Sequence, residues 1–226
     1  MQFVVASHNH DKIKELQQIF RVCNNEVIPY TDLLSKIKFP PEGNYSYEEN
    51  ASDKALFISK LLPDKLVIAD DSGLLLTARP KILGVRTARD LTNYPTPQQY
   101  AQHIIRLVQG RDRKFIMQTS IACAHQGKII KVVDGTLKGQ IASTERGING
   151  EGFSRILIPR GLTKTLAQMT FEESYPYLTR ARATEKLIRL DVYKRQIYIF
   201  CIFGVLFYIF KAFLNLFLNF ILILIY

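Results

Sequence analysis

The sequence predicts an α/β fold, a mixed central sheet flanked by helices. Three observations carry that reading. Apolar runs of strand length alternate with amphipathic helical segments through the first half of the chain. The stretch 114–142 reads as two or three consecutive antiparallel strands. No internal repeat is visible, and 226 residues suffice for one domain with a substantial core.

The elements follow in order. "FVVAS" (Phe3–Ser7) reads as a buried strand, followed by the polar loop "HNHD". "KIKELQQIF" (Lys12–Phe20) places Ile13, Leu16, Ile19 and Phe20 on one helical face. An irregular segment rich in Pro and Gly, "KFPPEGNYSYEE", comes next. "NASDKALFISKLL" (Asn50–Leu62) predicts a helix with Asn50 as N-cap and Ala51, Ala55, Ile58 and Leu62 inward. Pro63-Asp64 ends it, and the strand "KLVIAD" (Lys65–Asp70) follows. "TPQQYAQHIIRLVQG" (Thr96–Gly110) is a third helix. The antiparallel strands of 114–142 turn at Gln126-Gly127. A glycine-rich loop, "GINGEG", leads to "FSRILIP", and "TRARATEKLIRL" (Thr179–Leu190) closes the body as a helix.

Composition narrows the function classes. The net charge of +10 suits nucleic acid, a membrane surface or polyphosphates. No run of five basic residues occurs, which disfavours a nucleic-acid stripe. Three widely spaced cysteines (Cys23, Cys123, Cys201), no CxxC and no HExxH argue against a disulfide framework or a zinc site and point to the reducing cytoplasm. "MQFVVASHNH" lacks the basic and long apolar segments of a signal peptide.

The end of the chain reads differently. Residues 197–226 contain one charge, Lys211, among Ile, Leu, Phe and Tyr. By length and apolarity they pass as a membrane span. They are low in complexity, and they join the body through "DVYKRQ" (Asp191–Gln196), the six residues that one frame of a transposon-end sequencing adapter encodes. The expectation is therefore a domain over 1–190 and, over 191–226, a hydrophobic tail that is a chimeric or out-of-frame translation. Membrane association is expected only if that tail is genuine.

The chemistry concentrates around "KLVIADDSGLLL". The helix Ala51–Leu62 covers about 18 Å. The strand Lys65–Asp70 returns about 20 Å. Glu49 and the pair Asp70-Asp71 should therefore meet at one edge of the sheet. Clustered carboxylates call for a cation, and hard oxygen ligands with open positions suit Mg²⁺. If the first and second strands are parallel, "ASHNHDK" opens at the same edge. It offers Ser7, Asn9, N–H groups at a helix start, and Lys12, which together make an anion site. An acidic metal site beside a basic cradle is what a polyphosphate ester needs. Neither a P-loop nor a dinucleotide-binding fingerprint is present. Each piece alone has an ordinary explanation: "DDSG" as a turn, "EENASDKA" as a capped helix start, Lys12 and Lys54 as surface lysines. Their convergence is the argument.

"ASHNHDKIKEL", "YEENASDKA", "IADDSGL", "GVRTAR", "KTLAQMTFEE" and "TRARATEKL", in that order, resemble the inosine triphosphate pyrophosphatase family of non-canonical purine NTP pyrophosphatases, over about residues 1–190. The resemblance implies two lobes with a nucleotide cleft, a homodimer, and Mg²⁺-dependent hydrolysis of a nucleoside triphosphate to monophosphate and pyrophosphate. It implies hypoxanthine- or xanthine-type bases and a role in cleansing the nucleotide pool. Carried over, Glu49 and Asp71 would be metal-linked, with Asp70 supporting the cluster and Asp71 also the general base. Ser7, Asn9 and Lys12 would take the triphosphate, and Ser72 would contact substrate.

The departures lie in the base-reading half. Where the family reads Gly-Phe-Gly-Tyr-Asp-Pro, this chain reads "GEGFSR". Glu151 replaces the base-stacking Phe, Phe153 the Tyr and Ser154 the base-facing Asp. Ser174 stands at the late lysine and Thr179 at the family's His, while Arg180 remains. A buried hydrogen-bonding pocket provides strong discrimination, so relaxed base specificity is expected, with Phe153 and Arg180 left to meet the substrate. The alternative is a nucleotide-binding relative with weak or altered activity.

Overall fold

The structure is a computed structural model that describes residues 1–189. Met1–Leu187 form one compact unit. The membrane-or-artefact question about 191–226 falls outside the described residues, among which no helix is long and apolar enough to cross a membrane.

The fold is α/β, with one mixed six-stranded sheet. The strands are β1 (Gln2–Val5), β2 (Glu26–Pro29), β3 (Leu66–Leu76), β4 (Lys114–His125), β5 (Lys128–Ile141) and β6 (Leu157–Pro159), in spatial order β2-β1-β3-β4-β5-β6. β1 pairs in parallel with β2 and with β3, as the helical crossovers require, and the β3–β4, β4–β5 and β5–β6 pairs are antiparallel. The β4–β5 hairpin turns at Gln126-Gly127, both at positive φ (51° and 67°), as a two-residue primed turn demands. The helices are α1 (His10–Val22), α2 (Tyr47–Leu61), α3 (Thr87–Asp90), α4 (Pro97–Leu107), α5 (Phe171–Ser174) and α6 (179–189).

Helix α1 buries Ile13, Leu16, Ile19 and Phe20, as the spacing predicts. Helix α2 starts earlier than expected. Ser46 is its N-cap, its Oγ accepting from the Glu49 N–H at 3.0 Å, so Asn50 is a buried residue inside the helix rather than its cap. A capping side chain is stabilising only at a helix end, and here the chain enters the helix at Tyr47.

The strand predicted to stop at Asp70 runs on to Leu76. Asp70 and Asp71 lie in its middle, opposite Ile121 and Ser120 of β4. Gly73 does not turn the chain. A Cβ there would stand 2.1 Å from the Gly84 carbonyl oxygen and 2.8 Å from the Tyr47 ring, so the glycine permits close backbone approach. Gly135 of β5 does the same for α6, since a Cβ would meet the Thr179 carbonyl at 1.9 Å.

The core has two parts. Val4, Ala51, Ala55, Ile58, Val67 and Ala69 belong to one cluster. Leu74, Leu76, Ile104, Phe115 and Ile156 belong to the other. Residues 70–73 fall between them. β1 pairs with β3 only as far as Val5↔Ile68, then leaves toward α1. The carboxyl end of β1 thus opens beside Asp70, the kind of crevice in which α/β sheets hold ligands.

Candidate active site

Successive residues of β3 face opposite sides of the sheet, and the two aspartates meet different surroundings. Asp70 is buried. Its Oδ2 accepts from Arg180 Nε at 2.9 Å and lies 3.3 Å from Lys12 Nζ. Burial by itself would raise this carboxyl, but Arg180, Lys12 and Lys54 outweigh it and hold it well below the usual carboxylate range. Protein cations therefore already balance Asp70, whose ion-pair partners are Lys12 and Arg180. The cations come from α1 and α6, which close on this face of β3.

Asp71 faces α2. Its Oδ2 accepts from Asn50 Nδ2 at 2.8 Å, and its Oδ1 from the Ser72 N–H at 2.9 Å. Burial raises its pKa; Lys54, the Asn50 hydrogen bond and Lys12 only partly offset that, and Glu42 adds to it. Lys54 Nζ, buried, donates to Glu42 Oε1 at 2.8 Å and to the Asp70 carbonyl at 2.9 Å. Two neighbouring carboxyls are thus pushed in opposite directions, Asp70 toward permanent ionisation and Asp71 toward proton uptake. Such a split is how sites divide electrostatic and general-base roles.

Arg180 ties this site together. Nη1 reaches Glu15 Oε2 of α1 at 2.5 Å and Nη2 reaches Ser72 Oγ at 2.9 Å. Each of the three guanidinium nitrogens makes a hydrogen bond to protein.

The cradle is built at the β1–α1 junction. Asn9 caps α1, its side chain accepting from the Lys12 N–H at 3.1 Å, and the Asn9 N–H donates to Ser7 Oγ at 3.1 Å. The helix start and Lys12 lie beside Asp70, so the anion site and the carboxylates share one crevice as expected. His8, between them, is anchored by a 2.5 Å contact to the Tyr30 hydroxyl and stacks on Phe39.

Among the described residues, no group of three or more His, Cys, Asp or Glu side chains is close enough to hold a metal ion. The expected convergence of Glu49, Asp70 and Asp71 differs from what is found. The helix–strand return does close, but on Asn50 and Asp71; Glu49 is exposed in the first turn of α2. The donor set still fits a hard cation. Asp70 Oδ1 is a buried carboxylate oxygen with no hydrogen-bond partner, and Asp71 adds a second hard carboxylate. One or two carboxylates completed by phosphate oxygens and water is an ordinary Mg²⁺ environment.

Beyond the carboxylates lies a cavity of about 400 Å³. Asp11, Lys14 and Glu15 of α1, Glu151 and Ser154 of the glycine loop, and Met169, Phe171 and Ser174 are among its lining residues. Phe153 is not. Its ring packs edge-on against Tyr100 at 5.2 Å, beside the second core cluster, so Phe171 is the aromatic group in the cavity wall. Thr179 is buried against Thr119, hydroxyl to hydroxyl at 2.7 Å. Sequence reasoning missed Asn50, Lys54, Glu42 and Glu15. Only the first two were signalled, by their i, i+4 spacing on one helical face.

The Ham1 family model matches residues 3–190. A dihydroneopterin triphosphate diphosphatase of Limosilactobacillus reuteri is 46% identical over 82% of this chain and 95% of its own length. A dITP/XTP pyrophosphatase of Thermoanaerobacter pseudethanolicus is 33% identical over 83% and 94%. The Ham1 protein of Staphylococcus aureus superposes with a TM-score of 0.70 at 28% identity, over 86% of this chain and all of that one. With a family match spanning nearly the whole described body and the same fold beneath it, the chain belongs to the Ham1 family.

Proposed function

We propose that this protein hydrolyses the α–β phosphoanhydride of nucleoside triphosphates, releasing pyrophosphate and the monophosphate, and so removes non-canonical purine nucleotides. The observation that carries the reading is the placement of the Asp70-Asp71 pair beside the α1 start, with Lys12 3.3 Å from Asp70. The dITP/XTP pyrophosphatases among the relatives support it.

In this reading the α1 start and Lys12 bind the triphosphate. Asp71, its carboxylate held in place by Asn50 and the Ser72 N–H, takes a proton from water as the water oxygen bonds to phosphorus. The α–β phosphoanhydride bond breaks and pyrophosphate leaves. Asp70 stays ionised and fixes Lys12 and Arg180. Asp71 and the unpartnered Oδ1 of Asp70 would hold Mg²⁺, which would supply charge neutralisation for the phosphates. Arg180 acts through Asp70, Ser72 and Glu15, to each of which one of its nitrogens is bonded. A cytoplasmic homodimer with no nucleic-acid partner completes the proposal. Cys23 forms no disulfide, which suits a reducing compartment.

A second reading, for the same bond cleavage, has dihydroneopterin triphosphate as substrate. The 46% identical relative and the loss of the family's base-reading Phe, Asp, Lys and His favour it. Pyrophosphate release from a panel of dITP, XTP, ITP, GTP, ATP and 7,8-dihydroneopterin triphosphate tests both. Release from none of them would refute the proposal.

A further inference from the structure

The cavity wall carries three carboxylates against a single cationic side chain, Lys14. Asp11, Glu15 and Glu151 all line it. Glu15 is committed to Arg180. Burial raises the Tyr100 hydroxyl, and Asp11 and Glu151 add to that while Arg155 opposes it. Ser154 and Ser174 each give their single hydroxyl proton to a backbone carbonyl, of Glu151 and Phe171, at 2.7 and 3.0 Å. Toward the cavity they can offer only lone pairs. Lys14, the one cationic side chain among the cavity-lining residues, lies 4.0 Å from Glu151, with both side chains at least half exposed, a pairing that contributes little. Leu166, Met169 and Phe171 supply an apolar surface for a planar ring.

We propose that Glu151 is a specificity-determining residue. Its carboxylate accepts two parallel hydrogen bonds from the ring N–H and the adjacent exocyclic amino group of a 2-amino-4-oxopyrimidine edge, the edge that guanine and pterins share. The inference rests on the second reading above, with dihydroneopterin triphosphate as substrate, and deepens it. A carboxylate matches two adjacent donors in a plane, the geometry that makes bidentate pairs strong. Hypoxanthine lacks the amino group, xanthine presents a carbonyl in its place, and adenine has no ring N–H on that edge. Each leaves part of the carboxylate unpaired or facing another acceptor, and that mismatch is the source of discrimination.

GTP and ITP differ only in the 2-amino group and make the direct test. Calorimetric affinities for both, with Mg²⁺ present, are measured for the wild type and Glu151→Gln, alongside kcat/KM for pyrophosphate release. Because Glu151 is half exposed, matched melting curves suffice to show that the variant is folded. The wild type should bind GTP at least about tenfold more tightly than ITP, the low end for a charged hydrogen bond. Glu151→Gln, which turns a donor toward a donor, should bring that ratio close to one. Equal affinities in the wild type, a ratio unmoved by the substitution, or binding of neither nucleotide would overturn the inference. The affinity pattern without turnover would refute triphosphate hydrolysis and leave edge recognition standing. Turnover with an unchanged ratio would do the reverse.

Discussion

The guanidinium of Arg180 lies 2.9 Å from the buried carboxylate of Asp70, a residue 110 positions earlier in the chain. The contact joins α6 to the middle of β3, and through Glu15 it joins both to α1. Removing one partner of a buried pair leaves an uncompensated charge, which typically costs about 3–5 kcal/mol. Arg180→Ala should lose stability on that scale in denaturant unfolding. Asp70→Asn in the same chain should recover part of it. Additive losses in the double variant would show that the two residues are not coupled.

The pair also has a pH signature. The Asp70 carboxyl sits below its ordinary value of 3.8 in the folded protein. Its contribution to stability is therefore complete above that value and is lost as pH falls through the lower, folded value. The stability gap between wild type and Asp70→Asn, measured without metal, should be constant from neutrality to about pH 5 and shrink toward pH 2. A gap that widens on acidification would mean that Asp70 is not ionised in the native state.

Metal binding should depend on Asp71. Mg²⁺ should raise the melting temperature of the wild type, and Asp71→Asn should lose most of that shift, because a carboxylate ligand becomes a neutral amide. Pyrophosphate release should fall to background after exhaustive chelation. Full activity after chelation, or an undiminished Mg²⁺ shift in Asp71→Asn, would contradict the assignment.

The parts legible in the sequence are those set by local periodicity and by length. The buried face of α1 follows from its spacing. The helix–strand return brings the start of α2 to the middle of β3. What misled was turn chemistry. "DDSG" reads as a stop, yet β4 pairs with β3 from Val67 through Leu76, and tertiary pairing overrides the local signal. Ser46 was readable as a cap from the Ser-x-x-Glu spacing of Ser46 and Glu49. The Glu15–Arg180 contact was not, since 165 residues separate its partners and no local pattern links them.

Lys12 has two assignments, the phosphate of the substrate and the carboxylate of Asp70. Arg180 remains on Asp70 when Lys12 is removed, so the fold should survive Lys12→Ala. A charged hydrogen bond to phosphate corresponds to about tenfold or more in affinity. Triphosphate affinity should drop by that factor while monophosphate affinity changes less. Equal losses for both ligands would show that Lys12 serves the fold alone.

The central claim is that Asp71, one strand position from a carboxylate held permanently ionised, accepts the proton of the attacking water. Asp71→Asn keeps the shape of the side chain and removes the basic oxygen. With saturating Mg²⁺ and triphosphate, and folding confirmed by an unchanged circular dichroism spectrum, pyrophosphate release should fall by about 10²–10⁴-fold, the usual cost of losing a general base. A folded Asp71→Asn protein that releases pyrophosphate within about threefold of the wild-type rate, far inside that range, would contradict the account.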